Sequence, residues 1–371
     1  MRILKADFKS LNYFSQFQSE DSRCLLSVYF PGSDARASLP VSLQDLPEEV
    51  LRVSDLSEDE QEHLQQNLTL WQQATEDLSL PDAPGWFAVI SWMNDVADFV
   101  PLPKPPKLRA VLASSPFLYP AGRLLDDYES YAVLYADHSR AVLYEAVLGR
   151  LEEKKRIRGD IKNHVKKGGW SQARYERRRD NEIHHFCESI AERLQALVES
   201  ESLDRVVLAG DDQLLNELEE HLDQGLRERI VDRLAVDDPD DEENLFSESL
   251  KAAFEEEKRE EKRLLKQIRA AHAANGKAAL GPNAVLAALR EHRVAQLLIG
   301  PMVDAAFWRC HECGASDLGE PTKCPACGKA ETFQESASNQ FTDLAFEGGS
   351  LVQFTEAEIQ EVGGVAAMLR W

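Results

Sequence analysis

The sequence predicts a mixed α/β fold of α+β character, in two or three domains, with a small metal-stabilised module near its end. Three observations predict this. Short apolar runs alternate with amphipathic helical stretches between residues 131 and 222, the order expected of a sheet with helices packed on it. Two Cys-x-x-Cys pairs, Cys310/Cys313 and Cys324/Cys327, fall within residues 307–332. An acidic run holding Pro239, over residues 237–243, stands between those two regions as a linker. At 371 residues and 43% hydrophobic content the chain is long and apolar enough for several cores, which excludes a disordered tail. The expected boundaries are 1–125, 126–238 and 239–371.

In the first region residues 24–30, Cys-Leu-Leu-Ser-Val-Tyr-Phe, form a strand that stops at Pro31-Gly32, and Cys24 is a small core residue within it. Residues 57–75 are helical and 86–90 form a second strand, while Pro101, Pro103, Pro105 and Pro106 interrupt regular structure. The middle region opens with a hairpin, 131–136 and 141–145 around a turn at Asp137-His138-Ser139-Arg140. A basic segment and an amphipathic helix come next. Residues 205–210 make a buried strand, and Asp211 or Asp212 caps the helix that runs on to Leu222. Beyond the linker a charged helix over 245–275 shows a solvated face, Gly281-Pro282-Asn283 opens a short helix, and residues 294–299 form a strand.

The charge is unevenly spread. The chain carries a net −23, yet residues 154–179 hold eleven Lys or Arg against Asp160 and Glu176. A field of that shape lets one tip approach phosphates while the acidic body is repelled. After Gly168-Gly169-Trp170-Ser171, the residues Ile183, Phe186, Cys187, Ile190, Leu194 and Leu197 recur at helical spacing and form one buried stripe, which leaves Arg174, Arg177 and Arg178 on the other side. Ser171 is placed to cap that helix, and the two glycines permit backbone angles closed to other residues. The plainer reading is a solvated basic segment. The sharper one is a glycine tip on an arginine-faced helix, with Lys154, Lys155, Arg156, Arg158, Lys162, Lys166, Lys167, Arg174, Arg177 and Arg178 facing RNA.

The most specific chemical motif is Cys310-His311-Glu312-Cys313-Gly314 with Cys324-Pro325-Ala326-Cys327-Gly328. Four thiolates at this spacing suit a tetrahedral, structural Zn²⁺ with no open position, and a glycine after each pair suits a tight knuckle. An iron–sulfur centre and two redox pairs are the competing readings. His311 and Glu312 are then expected as exposed knuckle residues. The chain contains no run of 18 apolar residues, and Met1-Arg2-Ile3-Leu4-Lys5-Ala6-Asp7 lacks a signal-peptide core, so a cytoplasmic location without membrane contact is expected.

Gly168-Gly169-Trp170-Ser171-Gln172-Ala173-Arg174-Tyr175-Glu176-Arg177 resembles the Gly-Gly-Gln-Ser-Ala-x-Arg-Phe-x-Arg signature of the archaeal and eukaryotic class-1 release factors. Gly363-Gly364-Val365-Ala366-Ala367-Met368-Leu369-Arg370-Trp371 is similar to the terminus of the release-factor and Pelota superfamily, and residues 281–299 resemble the segment ahead of its zinc ribbon. The resemblance covers residues 126–371 and implies a three-domain architecture with a zinc ribbon at about 307–332. Trp170 stands where the family has the glutamine that helps water attack peptidyl-tRNA, and no codon-reading Asn-Ile-Lys-Ser motif occurs in residues 1–125. The first domain is thus divergent, as in the bacterial members.

What the resemblance implies is a ribosome-binding translation factor that occupies the A site, with Gly168, Gly169, Trp170, Ser171 and Gln172 reaching the peptidyl transferase centre. With no catalytic residue identified, the expectation is hibernation or protection rather than catalysis; the superfamily includes Balon, a bacterial hibernation factor without the hydrolytic tripeptide, and the chain is similar to it in size and domain plan. Implied partners are ribosomal RNA, P-site tRNA and a translational GTPase such as elongation factor Tu. The alternatives are ribosome rescue by peptidyl-tRNA hydrolysis, with the backbone N–H of residue 170 positioning water, and a non-ribosomal zinc-binding nuclease or interaction protein using Asp137, Asp211 and Asp212.

Overall fold

The strands near the start of the chain read as unbroken apolar runs because their sheet is covered on both faces. The computed structural model describes residues 1–19, 22–32, 56–76, 80–159, 172–236, 241–356 and 358–371, with residues 172–176 as helical backbone only. These form two compact units, Met1–Tyr128 together with Lys258–Trp371, and Glu129–Glu257.

The first unit begins with β1 (Arg2–Ile3), α1 (Phe8–Phe14), β2 (Leu25–Pro31), α2 (Glu58–Glu76), β3 (Gly85–Ser91), β4 (Val96–Leu102), β5 (Arg109–Ala113) and α3 (Tyr119–Asp127). The sheet order is β1-β4-β3-β2-β5, antiparallel except for β1 on β4. Alternation then sorts the side chains: Phe30, Trp86, Ala88 and Phe99 meet Leu64, Leu68 and Trp71 of α2, whereas Tyr29, Phe87, Val89 and Val100 meet Leu11, Phe14, Leu118 and Ala121. Cys24 is buried just ahead of β2, as expected, and burial pushes its thiol pKa up. Pro101 departs from the expectation, since it lies inside β4. Pairing with β1 stops at Ile3, opposite Phe99, so a missing N–H at residue 101 costs no bond to that neighbour.

The second unit holds β6 (Tyr131–Ala136), β7 (Arg140–Val147), β8 (Arg150–Arg158), α4 (Gln172–Glu201), β9 (Val206–Gly210), α5 (Asp212–His221), α6 (Gln224–Glu228) and β10 (Ile230–Leu234). Its sheet runs β10-β9-β6-β7-β8, parallel across β10, β9 and β6 and antiparallel from β6 to β8. Asp137 shapes the β6–β7 turn by accepting from the N–H of Ser139 and Arg140 at 2.6 and 2.9 Å. Asp211, one of the two expected caps, accepts from Leu214 N–H at 2.9 Å. The apolar stripe of α4 packs on one sheet face, with Phe186, Cys187, Ile190, Leu194 and Leu197 buried and Ile183 against them.

The chain continues with α7 (Glu242–Ala273), β11 (Ala278–Leu280), α8 (Pro282–Arg290), β12 (Val294–Ile299), β13 (Phe307–Cys310), β14 (Ser316–Leu318), β15 (Thr332–Glu335), α9 (Ala337–Glu347), β16 (Leu351–Phe354) and β17 (Val365–Leu369). The acidic linker is shorter than expected: Asp241 accepts from Asn244 N–H at 3.0 Å, and Glu242 and Glu243 form the first turn of α7, where negative charge suits the helix dipole. Residues 237–240 lie outside the described residues. Nor is α7 only a solvated helix. Leu245, Ala252 and Ala253 pack in the second unit, and Leu264, Leu265 and Ile268 pack in the first. The final sheet, β11-β17-β12-β16, carries between β12 and β16 a three-stranded sheet, β14-β13-β15.

Candidate functional site

The four cysteines converge. Cys310 ends β13, and Cys324 lies in the loop before β15. In each knuckle the glycine N–H folds back onto the first cysteine carbonyl, Gly314 to Cys310 at 3.1 Å and Gly328 to Cys324 at 2.9 Å. Gly314 and Gly328 adopt φ of 67° and 76°, a left-handed conformation that a side chain would strain. The Sγ separations are 3.7 Å for Cys310–Cys327 and 3.6 Å for Cys313–Cys324, and all four sulfurs lie within 4.8 Å of one another. Sulfurs about 2.3 Å from a tetrahedral Zn²⁺ stand about 3.8 Å apart, so the donor set fits such an ion. These four side chains can hold a metal.

His311 corrects the expectation of an exposed knuckle residue. Its ring lies 4.4 Å from that of Phe333, and Nδ1 is 3.7 Å from Glu60 Oε1. Glu60, fully buried on α2, also receives Arg23 in a bidentate pair at 2.7 Å for each contact, and the Arg23 guanidinium lies 4.8 Å from the Phe333 ring centre. Burial opposes the Glu60 charge, but Arg23 and the Ser57 N–H outweigh it and hold the carboxyl below its ordinary value. The knuckles are thereby keyed to α2 inside one unit. Glu312 is exposed, as expected.

The basic segment divides. Lys154, Lys155, Arg156 and Arg158 belong to β8, a strand sequence reasoning missed because the turn joining it to β7 is Leu148-Gly149, with φ of 48° and 75°. Such a two-residue turn usually announces itself by Asn-Gly or Asp-Gly. Lys154 meets Glu145 at 2.7 Å and Glu152 at 3.2 Å, and Arg156 meets Glu153 at 2.7 Å. Local carboxylates thus offset part of the charge counted in the sequence; Lys155 and Arg158 are exposed. On α4, Arg177 and Arg178 are exposed, and Arg178 reaches Glu182 at 3.0 Å. Gln172 and Arg174 are helical positions whose side chains are outside the described residues, as are Lys162, Lys166, Lys167, Gly168, Gly169, Trp170 and Ser171 altogether. The described geometry is a strand and a long helix flanking the glycine segment.

The carboxylates weighed for a metal-dependent nuclease do other work. Asp137 holds its hairpin turn and Asp211 caps α5, and among the described residues Asp137, Asp211 and Asp212 do not gather into a metal-capable group. No helix among the described residues is long and apolar enough to cross a membrane.

Residues 116–255 match the family described as "Bacterial archaeo-eukaryotic release factor family 10". The chain is 26% identical over 292 residues to peptide chain release factor subunit 1 of Methanosarcina mazei, covering 70% of this chain and 69% of that protein. It is 23% identical over 344 residues to the protein of the same name from Thermococcus sibiricus, covering 84% and 83%. Among solved structures, a model of ribosome-bound archaeal Pelota and ABCE1 aligns over 99% of this chain and 95% of the other at 12% identity and a TM-score of 0.43.

Proposed function

From its membership of the release-factor and Pelota superfamily, we propose that this chain is a translation factor that enters the ribosomal A site and carries its glycine tip to the peptidyl transferase centre. The observation that supports it most is the family match over residues 116–255, because that stretch contains β8, the Gly168-Gly169-Trp170 segment and α4. Functionally the chain reads as three parts, 1–125, 126–238 and 239–371, the last stiffened by structural Zn²⁺ on Cys310, Cys313, Cys324 and Cys327. It acts in the cytoplasm, on ribosomal RNA and P-site tRNA, delivered by a translational GTPase such as elongation factor Tu.

Blocking or protecting the centre is the expected outcome, in the manner of a hibernation factor. Trp170 brings an indole, a donor-only ring with a flat face, to the place of a glutamine. Stacking on an unpaired base contributes roughly 1–3 kcal/mol, whereas an indole offers no carbonyl to orient the attacking water. The test is a peptide-release assay on ribosomes holding P-site peptidyl-tRNA. No release by the native chain, with release by a canonical factor blocked, supports protection. Release that depends on Gly169 would replace this reading with rescue by hydrolysis.

A further inference from the structure

A second group of metal-binding side chains lies in the Glu129–Glu257 unit, far in sequence from the cysteines. His184 and Glu188 are one helical turn apart on α4, and His221 is the last residue of α5. One ligand atom from each lies within 4.8 Å of the others. The His184 and His221 rings are 4.5 Å apart and tilted by 67°, and His184 Nε2 is 3.4 Å from Glu188 Oε1.

We propose that His184, Glu188 and His221 form a binding site for a divalent transition metal of the Zn²⁺ class, bridging α4 and α5. Two imidazoles and a carboxylate are a donor set that such ions favour over Mg²⁺ or Ca²⁺. His and Glu at i, i+4 project from one side of a helix, so α4 supplies two ligands without bending. Ligand atoms about 2.1 Å from an ion stand about 3.0–3.4 Å apart, and the half-exposed His184 and Glu188 side chains can rotate to close the remaining gap.

The neighbours suit the role. His185 Nδ1 lies 3.1 Å from Glu188 Oε2, the oxygen turned away from His184, and so orients the carboxylate. Glu217 Oε1 is 3.9 Å from His221 Nε2. Cys187 does not compete, because it is fully buried in the apolar stripe that α4 packs on the sheet. Three protein ligands leave a coordination position open toward solvent, unlike the closed four-cysteine centre. His184 and Glu188 also follow Arg177 by seven and eleven residues, on the same side of α4, so an ion there extends the positive charge of Arg177 along the helix.

The test is calorimetric titration of Zn²⁺ into untagged full-length protein whose four cysteines are already saturated with zinc. One further ion per chain is expected. Its affinity should fall at least about tenfold in His184→Ala, in Glu188→Gln and in His221→Ala, and stay unchanged in His272→Ala, an exposed histidine elsewhere. His221 is largely buried, so far-ultraviolet circular dichroism accompanies each variant, and the half-exposed His184 and Glu188 variants decide the matter if His221→Ala does not fold. No binding beyond the cysteine-held ion up to about 1 mM Zn²⁺, or binding unaltered by folded His184→Ala, would overturn the proposal.

Discussion

At the scale of single residues, the informative cases are those where one side chain has two neighbours instead of the solvent the sequence suggested. His311, between two cysteine positions, reads as an exposed spacer, and its packing on Phe333 and Glu60 depends on a helix some 250 residues earlier that no spacing rule connects to it. The Arg23–Glu60 pair beside it gives a sharp prediction. Glu60→Gln removes the carboxylate charge that faces the buried Arg23 guanidinium and should cost about 3 kcal/mol in urea unfolding at pH 7. Because the folded-state carboxyl titrates below the ordinary 4.5, its stabilisation is complete above that value and fades as pH falls through the lower folded value. The gap between wild type and Glu60→Gln should accordingly narrow below about pH 4.5. A gap constant with pH would show that packing, not charge, sets the cost. At the cysteines, changing Cys310 and Cys324 together to serine should abolish the bound metal measured by elemental analysis and lower the melting temperature; wild-type protein free of metal would contradict the zinc assignment.

At the scale of elements, legibility followed the strength of the period. The stripe from Ile183 to Leu197 placed α4 correctly because Phe186, Cys187, Ile190 and Leu194 are all buried against one sheet. Of the strands the sequence did not announce, β8 and β10 share a physical reason: they lie at the edges of their sheet, where a covered apolar face is not required, so charged sequences such as Arg-Leu-Glu-Glu-Lys-Lys-Arg-Ile-Arg persist. Two of the three proposed metal ligands, His184 and Glu188, stand four residues apart in the sequence, a spacing too common on solvated helices to mark a site, and His221 stands on another helix that only the α4–α5 packing brings near. The exposed side of α4 carries its own prediction. Replacing Arg174, Arg177 and Arg178 by alanine should weaken ribosome binding and reduce its salt slope by up to about three ions, with the circular dichroism spectrum retained. Unchanged affinity and slope would remove this helix from the RNA interface.

At the scale of the whole molecule, the proposed function sets an acidic chain, net −23, against a polyanion. Electrostatics allows this if contact is confined to the residues 154–179 and the remaining surface faces protein partners, with affinity falling steeply as salt rises. The fold class was readable from alternation and periodicity. The close packing of the first 128 residues with Lys258–Trp371 was not, because the chain leaves that unit at Tyr128 and re-enters it at Lys258, and nothing local records the return. The most direct measurement is co-sedimentation of the purified full-length chain with bacterial 70S ribosomes, with and without P-site tRNA, across a salt series. Stoichiometric, salt-sensitive binding that an A-site tRNA displaces is expected; absence of sedimentation at low salt, or binding indifferent to an occupied A site, would overturn the proposed function.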